Sequence, residues 1–378
     1  MHFTLHLTTG CNLNCSYCYS PPLVREDMDE STLLQSIRFA ALVSRENSGI
    51  IFFGGEPLLC PDQIFQAINE CKRLEKSMGF VYHTKMVTNG ILLDEQFIKK
   101  ATELRLSIAL SFDGIKNAHD AHRQTINHQS TFDKLDSISS VLLRYQPYAN
   151  VLLAVTTRTV PYYADSVQFL FNKGFKYLIA SLNYADQWTD HDLTILKKEY
   201  LKIAGLYRQW TMAGKKFYFS PFEVKLATHI KRKDAQCFRC ALAQRQVSIA
   251  PDGKLYPCVQ FVGNGHNHID YSIGDIQLGI NEEKRIAFFE QSKIKDKACT
   301  DCVLNHRCNN NCSCLNWQTT GNINKISPLL CESERLLIPI VDKLGKELYL
   351  KKAQTFIQKH YNPSYPYLSL FEDAGCLH

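Results

Sequence analysis

Short apolar or alternating runs recur along the first half of this chain, separated by longer amphipathic stretches. The runs HFTLHL (2–7), GIIFF (49–53), HTKMVT (83–88), LSIALSF (106–112), NVLLAVT (150–156) and KYLIAS (176–181) read as strands. Helical periodicity fills 31–45, 62–78, 94–104, 131–145, 162–173 and 191–213. Apolar strands alternating with amphipathic helices predict a parallel sheet built of βα units. Six units predict an incomplete α/β barrel rather than a closed eight-fold one. In such a barrel, ligands gather at the C-terminal ends of the strands.

The pattern breaks after about residue 215. The stretch CFRCALAQRQVSIAPDGKLYPCVQF (237–261) reads as a cysteine pair followed by a hairpin, with PDG turning between QVSIA and KLYPC. Residues 291–331 are polar, loop-rich and dense in cysteine. They are expected to lack an apolar core and to be held by metal. A last helix is expected over about 331–353, with a tail that drapes over the surface or orders on binding. The predicted division is a barrel over 1–215, a linker over 216–235, a cysteine-rich domain over 236–335, and a C-terminal helix and tail over 336–378.

The length of 378 residues suits one large domain with a smaller one. No apolar run reaches membrane-spanning length, and the N-terminus does not read as a secretory signal. The expected location is therefore cytoplasmic, where thiols stay reduced and clustered cysteines bind metal or do chemistry. The net charge of +6 is scattered. Its densest run, KLATHIKRKD (225–234), reads as a solvated face, so neither nucleic acid nor membrane is expected as a partner.

The fifteen cysteines change this picture most. Cys11, Cys15 and Cys18 form Cys-x3-Cys-x2-Cys in the loop after the first strand. Four thiolates complete an ordinary iron–sulfur cube. Three leave one iron open to a substrate or cofactor, as a catalytic zinc keeps an open position. A zinc site with a fourth ligand from elsewhere is the other reading.

With Tyr17 just before the last cysteine, this loop resembles the signature of radical S-adenosylmethionine (SAM) enzymes. The resemblance implies that the fourth iron chelates the cofactor and that reductive cleavage yields a 5′-deoxyadenosyl radical. It extends to GGEP (Gly54, Gly55, Glu56, Pro57), where the family contacts the cofactor amino group. It covers Asn89 in TNG, Ser111 in SFDG as a ribose contact, and Arg123 as a partner for the cofactor carboxylate. Taken singly, GGEP and SFDG also read as plain turns, and Arg123 as a surface cation.

A second resemblance is narrower. Cys240-x12-Gly253-x4-Cys258, then Cys299-x2-Cys302-x5-Cys308-x3-Cys312, then Cys331, is similar to the SPASM extension of peptide- and protein-modifying radical enzymes. It implies two auxiliary [4Fe-4S] cubes beside the SAM-binding one. Cys240, Cys258, Cys312 and Cys237 would hold the first. Cys299, Cys302, Cys308 and Cys331 would hold the second. Zinc knuckles are the structural alternative. Cys314 falls outside the scheme, as a spare thiol or one that exchanges with Cys312. Cys60, Cys71 and Cys376 also lie outside it.

The implied activity is maturation of a ribosomally made peptide through an oxidative cross-link, a thioether or a carbon–carbon bond. Its implied partners are a precursor peptide, a reductant such as flavodoxin or ferredoxin, and a separate leader-binding protein. The alternatives are a protein-maturing dehydrogenase related to anaerobic sulfatase maturases, and a non-catalytic zinc-binding protein. The sulfatase-maturing branch carries an aspartate base after its Cys258 equivalent; here that position is Val259. Tyr184 and Trp188 are candidates for a peptide channel. His266 and His268 read as a polar loop.

Overall fold

The computed structural model describes residues 1–20, 24–44, 48–79, 81–230, 242–263, 270–294, 297–309 and 312–365. Seven strands run in one direction: β1 (His2–Thr8), β2 (Ser48–Gly54), β3 (Tyr82–Thr88), β4 (Ser107–Ser111), β5 (Asn150–Val155), β6 (Tyr177–Leu182) and β7 (Tyr218–Phe219). Between and after them lie α1 (Glu30–Ser44), α2 (Pro61–Met78), α3 (Glu95–Glu103), α4 (Lys116–His119), α5 (Phe132–Tyr145), α6 (Tyr163–Lys173), α7 (Asp190–Met212) and α8 (Ser220–Ile230). Each predicted strand and helix of the first 215 residues is present, with ends moved by a few residues. The architecture is an α/β partial barrel with a cysteine-rich C-terminal part.

Local sequence accounts for several boundaries. Proline opens α2, and Gly79 closes it in the left-handed conformation. A capping box between Thr189 and Asp192 starts α7. Although β1 alternates in sequence, both its faces are buried: Phe3, Leu5 and Leu7 on one, Thr4 and His6 on the other. The reason is topological. β1 lies between β2 and a further strand, β8 (Gln246–Ile249), both parallel to it.

The hairpin predicted around PDG exists, with β8 antiparallel to β9 (Lys254–Tyr256). It extends the barrel sheet past β1, and β10 (Gly274–Asp275) and β11 (Gly279–Ile280) continue it to the edge. Five more helices follow: α9 (Glu282–Lys293), α10 (Lys297–Thr300), α11 (Ser313–Thr320), α12 (Pro328–Leu350) and α13 (Gln354–Tyr361). α9, α10, α11 and α13 have no counterpart in the sequence expectation.

Three expectations are corrected. Residues 218–230 of the expected linker form β7 and α8, and α8 buries Phe222 and Leu226 in the main core. Lys225, at the head of the basic run, is not on a solvated face. It is 1% exposed and pairs with Glu334 of α12 at 2.7 Å. The cysteine-rich part also has a small apolar core, made of Leu242, Phe261, Tyr271, Trp317 and Ile323 with Cys258 and Cys314. Residues 291–331 alone supply too few of these; the hairpin segment brings the rest. The Trp317 indole donates to the Tyr271 hydroxyl at 2.6 Å.

Candidate active site

The three-cysteine loop leaves the C-terminal end of β1 and is held from three sides. The segment after β4 straps it, with Asn14 N–H donating to Gln124 O at 3.0 Å and Ser16 N–H to His122 O at 3.3 Å. Cys18 N–H closes a tight turn on Cys15 O at 2.9 Å. Cys11 and Cys18 are exposed, and Cys15 is half-buried.

On the other side, the GGEP turn at the end of β2 grips the base of the loop. Gly55 N–H donates to Thr8 O and Glu56 N–H to Gly10 O, each at 2.9 Å. This approach requires glycine. A Cβ on Gly55 would lie 2.0 Å from Gly10 O, and Gly54 has φ +130° with Thr8 O at 2.3 Å from its would-be Cβ. Backbone contact is thus the reason for both glycines.

Glu56 is buried and its carboxylate is already engaged. Oε1 accepts from Leu58 N–H at 3.0 Å and Thr88 Oγ1 at 2.7 Å, and Oε2 from Asn89 N–H at 2.7 Å. Burial pushes its pKa up, while those donors pull the other way. Glu56 therefore ties the end of β2 to the end of β3. Pro57 opens the short turn that follows. The Asn89 amide donates to Asn12 Oδ1 at 2.8 Å and lies 3.8 Å from Cys11 Sγ. TNG thus reaches the cysteine loop directly.

Asp113 organises the third side. Its Oδ2 accepts from the Tyr17 hydroxyl at 2.6 Å and from Arg123 Nε at 2.9 Å, and its Oδ1 from Ala154 N–H at 2.9 Å. The Arg123 guanidinium lies 5.3 Å from the Tyr17 ring centre. His122 bridges Ser16 Oγ (2.6 Å) and Thr156 Oγ1 (2.7 Å), linking loop to β5. Ser111 is half-buried at the end of β4. Arg123 is not a free surface cation; its pair with Asp113 is almost entirely buried. The sequence reading missed Asp113, His122 and Asn12. Asp113 lies inside the quoted SFDG, and the others flank quoted residues, but nothing local marks their partners.

The donor set fits a cationic cluster. Burial pushes the Cys15 thiol up to about 11, against the pull of Arg123. A thiol so placed gives up its proton to a bound metal rather than to water. Three thiols on one strand-end loop, with a backbone cradle beside them, suit the iron–sulfur group that the resemblance implies.

Residues 5–153 match the Radical SAM superfamily. The chain thus carries a radical SAM domain. This radical SAM chain is 24% identical over 329 residues to a cysteine-type anaerobic sulfatase-maturating enzyme of Clostridium perfringens, covering 81% of this chain and 86% of the relative. Its fold matches the solved structure of His6-tagged anSMEcpe with bound AdoMet, at a TM-score of 0.78 and 22% identity, over 91% of this chain and 97% of the other. Streptococcus suis SuiB bound to the precursor peptide SuiA is a further match, at a TM-score of 0.60 and 14% identity, over 87% and 75%. A radical SAM enzyme uses SAM and a [4Fe-4S] cluster.

Among the remaining cysteines, Cys258, Cys312 and Cys314 are brought together. Cys314 Sγ is 3.2 Å from Cys258 Sγ and 3.6 Å from Cys312 Sγ. Among the described residues no three side chains close on one point as a finished metal shell would. Cys299, Cys302, Cys308 and Cys331 are half-buried. A cavity of about 330 Å³ lies between barrel and cysteine-rich part, lined by Tyr184, Lys225, Glu334, Cys308 and Cys312 among others. Trp188 is not in its lining; its indole donates to Asn183 O at 2.8 Å. Tyr19 lies between the two regions: burial pushes its phenol up, and the thiols of Cys18, Cys258 and Cys314 act on it in the same direction. Cys237, Cys240, Cys376, His266 and His268 lie outside the described residues. No helix among the described residues is long and apolar enough to cross a membrane.

Proposed function

We propose that this radical SAM maturase oxidatively cross-links a ribosomally made peptide, forming a thioether or a carbon–carbon bond. Cys11, Cys15 and Cys18 hold the SAM-binding cube. SAM, when bound there, supplies the radical that removes a hydrogen atom from the peptide. Tyr17, Gly54, Gly55, Pro57, Asn89, Ser111 and Arg123 form the cofactor cradle. Asp113 holds Arg123 and Tyr17 in place, and Glu56 pins the cradle's two loops together. Cys258, Cys299, Cys302, Cys308, Cys312 and Cys331 would hold auxiliary iron, which would supply a sink for the electron left after bond formation. The electron that starts each turnover comes from a reductant of the flavodoxin or ferredoxin class.

A peptide substrate is supported by the peptide-bound SuiB structure and by the sulfatase-maturating relatives. The observation that carries cross-linking is Val259. Where the sulfatase-maturing branch has a carboxylate base, this chain packs an aliphatic side chain against the small apolar core. Coverage by the Clostridium relative favours a second reading, oxidation of a cysteine or serine to formylglycine.

Co-expression with a cysteine-rich peptide encoded beside the gene, followed by mass spectrometry and hydrazide labelling, tests the proposal. Loss of two hydrogens per modification without hydrazide reaction supports cross-linking. A hydrazide-reactive aldehyde supports the second reading. No mass change, or a gain, sinks both.

A further inference from the structure

Strands β1 to β8 hold no aspartate or glutamate, and Lys85 on β3 is their one lysine or arginine. A sheet packed under helices is built of apolar residues, and an aliphatic side chain would sit there at lower cost. The pleat fixes which way Lys85 faces. Tyr82 and Met86 belong to the core under the helices. The alternation of β3 therefore turns His83, Lys85 and Val87 into the barrel lumen. On β1 it turns Thr4 and His6 inward, and His6 meets Phe53 of β2 edge-on at 5.4 Å. The register sets Thr4, Ile51 and Lys85 in one row across that wall. The lumen is open: Phe53, Lys85, Val87 and Leu152 are half-buried, while their helix-facing neighbours are buried.

Solvation does not account for this lysine. A lysine that snorkels keeps its ammonium in water. Here burial lowers the pKa, and no other group acts on it. Among the described residues no carboxylate reaches the ammonium. The other titratable groups on this face of β1 to β3 are His2, His6 and His83, and none is an acid. His6 stays neutral, with burial pushing its pKa down to about 3. By contrast, Lys173, Lys225 and Lys359, also drawn into the fold, each meet a carboxylate. A partly desolvated ammonium is stabilised most by an anion beside it.

We propose that Lys85 pairs with a carboxylate of the substrate peptide inside the barrel lumen. This rests on the reading that the substrate is a peptide, and it names the charge that peptide carries. Lys85 lies three residues before Thr88, the last residue of β3. A strand rises about 3.3 Å per residue, so the pair sits about 10 Å below the cofactor cradle. In an extended peptide that places the carboxylate about three residues from the one that is modified. Lys85 is thereby a specificity residue, remote from the reacting atoms.

The test uses the full chain, anaerobically purified and reconstituted with iron and sulfide, with the peptide encoded beside the gene. Lys85→Met keeps the stem and removes the charge; Lys85→Arg keeps the charge. Lys85→Met is expected to raise the peptide KM about tenfold with kcat little changed, and Lys85→Arg to stay close to the parent. Urea unfolding of Lys85→Met is expected to show equal or greater stability, since an unpaired, partly desolvated charge is gone. Changing each peptide aspartate to asparagine, each glutamate to glutamine and the C-terminus to an amide, one at a time, finds the partner. One such peptide should show the same KM rise with the parent and no further rise with Lys85→Met. An unchanged KM in Lys85→Met, or a rise that persists in full with every altered peptide, overturns the proposal. A loss of stability in Lys85→Met also overturns it, by assigning the residue to the fold. A parent that modifies no peptide would instead remove the peptide reading beneath it, and the proposal with it.

Discussion

Asp113→Asn is the sharpest test of how the cofactor cradle is built. Asp113 is 1% exposed and its ion-pair partner Arg123 12%. One carboxylate receives three donors: Tyr17 hydroxyl, Arg123 Nε and Ala154 N–H. Asparagine keeps the shape and can still accept from Ala154. It removes the charge and turns an acceptor into a donor that faces Arg123 or Tyr17. Breaking a buried pair by deleting one partner costs about 3–5 kcal/mol. The residual exposure of Arg123 places this one at the low end, about 3 kcal/mol. That is a large share of a typical domain's stability. Urea unfolding of the anaerobic holo chain measures it. Adding Arg123→Gln to the same chain is expected to recover part of the loss, because the orphaned cation is then gone. SAM cleavage should fall with Asp113→Asn, since both Arg123 and Tyr17 lose their anchor. A stability change below about 1 kcal/mol with normal cleavage would refute the claim that Asp113 organises the site.

Three further outcomes are expected. Gly55→Ala drives a Cβ to 2.0 Å from Gly10 O; it should displace the cysteine loop and lose the first cluster, read as about a third less iron, and full iron with normal cleavage would contradict the cradle. Cys15→Ala should abolish SAM cleavage while auxiliary iron stays, and retained cleavage would remove the loop from its assigned role. His119 is fully buried, with Asp113 N–H donating to its Nδ1, and burial lowers its pKa from 6.5 to about 4. The unfolded chain then binds the proton first, so stability is full above pH 6.5 and falls by about 3 kcal/mol as pH drops toward 4. His119→Gln should flatten that slope in urea unfolding at pH 7 against pH 5; an unchanged slope would rule His119 out as its source.

The barrel was legible because its information is local. An apolar run or a helical period is written in consecutive residues, and burial of such runs in a parallel sheet leaves few alternatives. The same holds for Cys11, Cys15 and Cys18, where three ligands share one loop. Legibility failed where a residue's meaning depends on a distant partner. Lys225 reads as a solvated cation until Glu334 is found beside it. Glu56 reads only as part of a turn until Thr88 and Asn89 are seen donating to its carboxylate. Two-residue β7 is too short to carry a period, and α8 sits in a run whose charges mask its apolar face.

By itself, then, the amino-acid sequence determined the order of elements, the strand-end position of the three-cysteine loop and the cysteine spacing that carries the resemblance to radical SAM enzymes. Each of these follows from spacing along the chain. The tertiary structure alone decided that the hairpin at 246–256 joins the barrel sheet beside β1, that Asp113 joins Tyr17 to Arg123, and that Cys314 meets both Cys258 and Cys312. Cys258 and Cys314 are 56 residues apart in the chain. No periodicity links positions so far separated; only the packing of one core against another brings their sulfurs into contact.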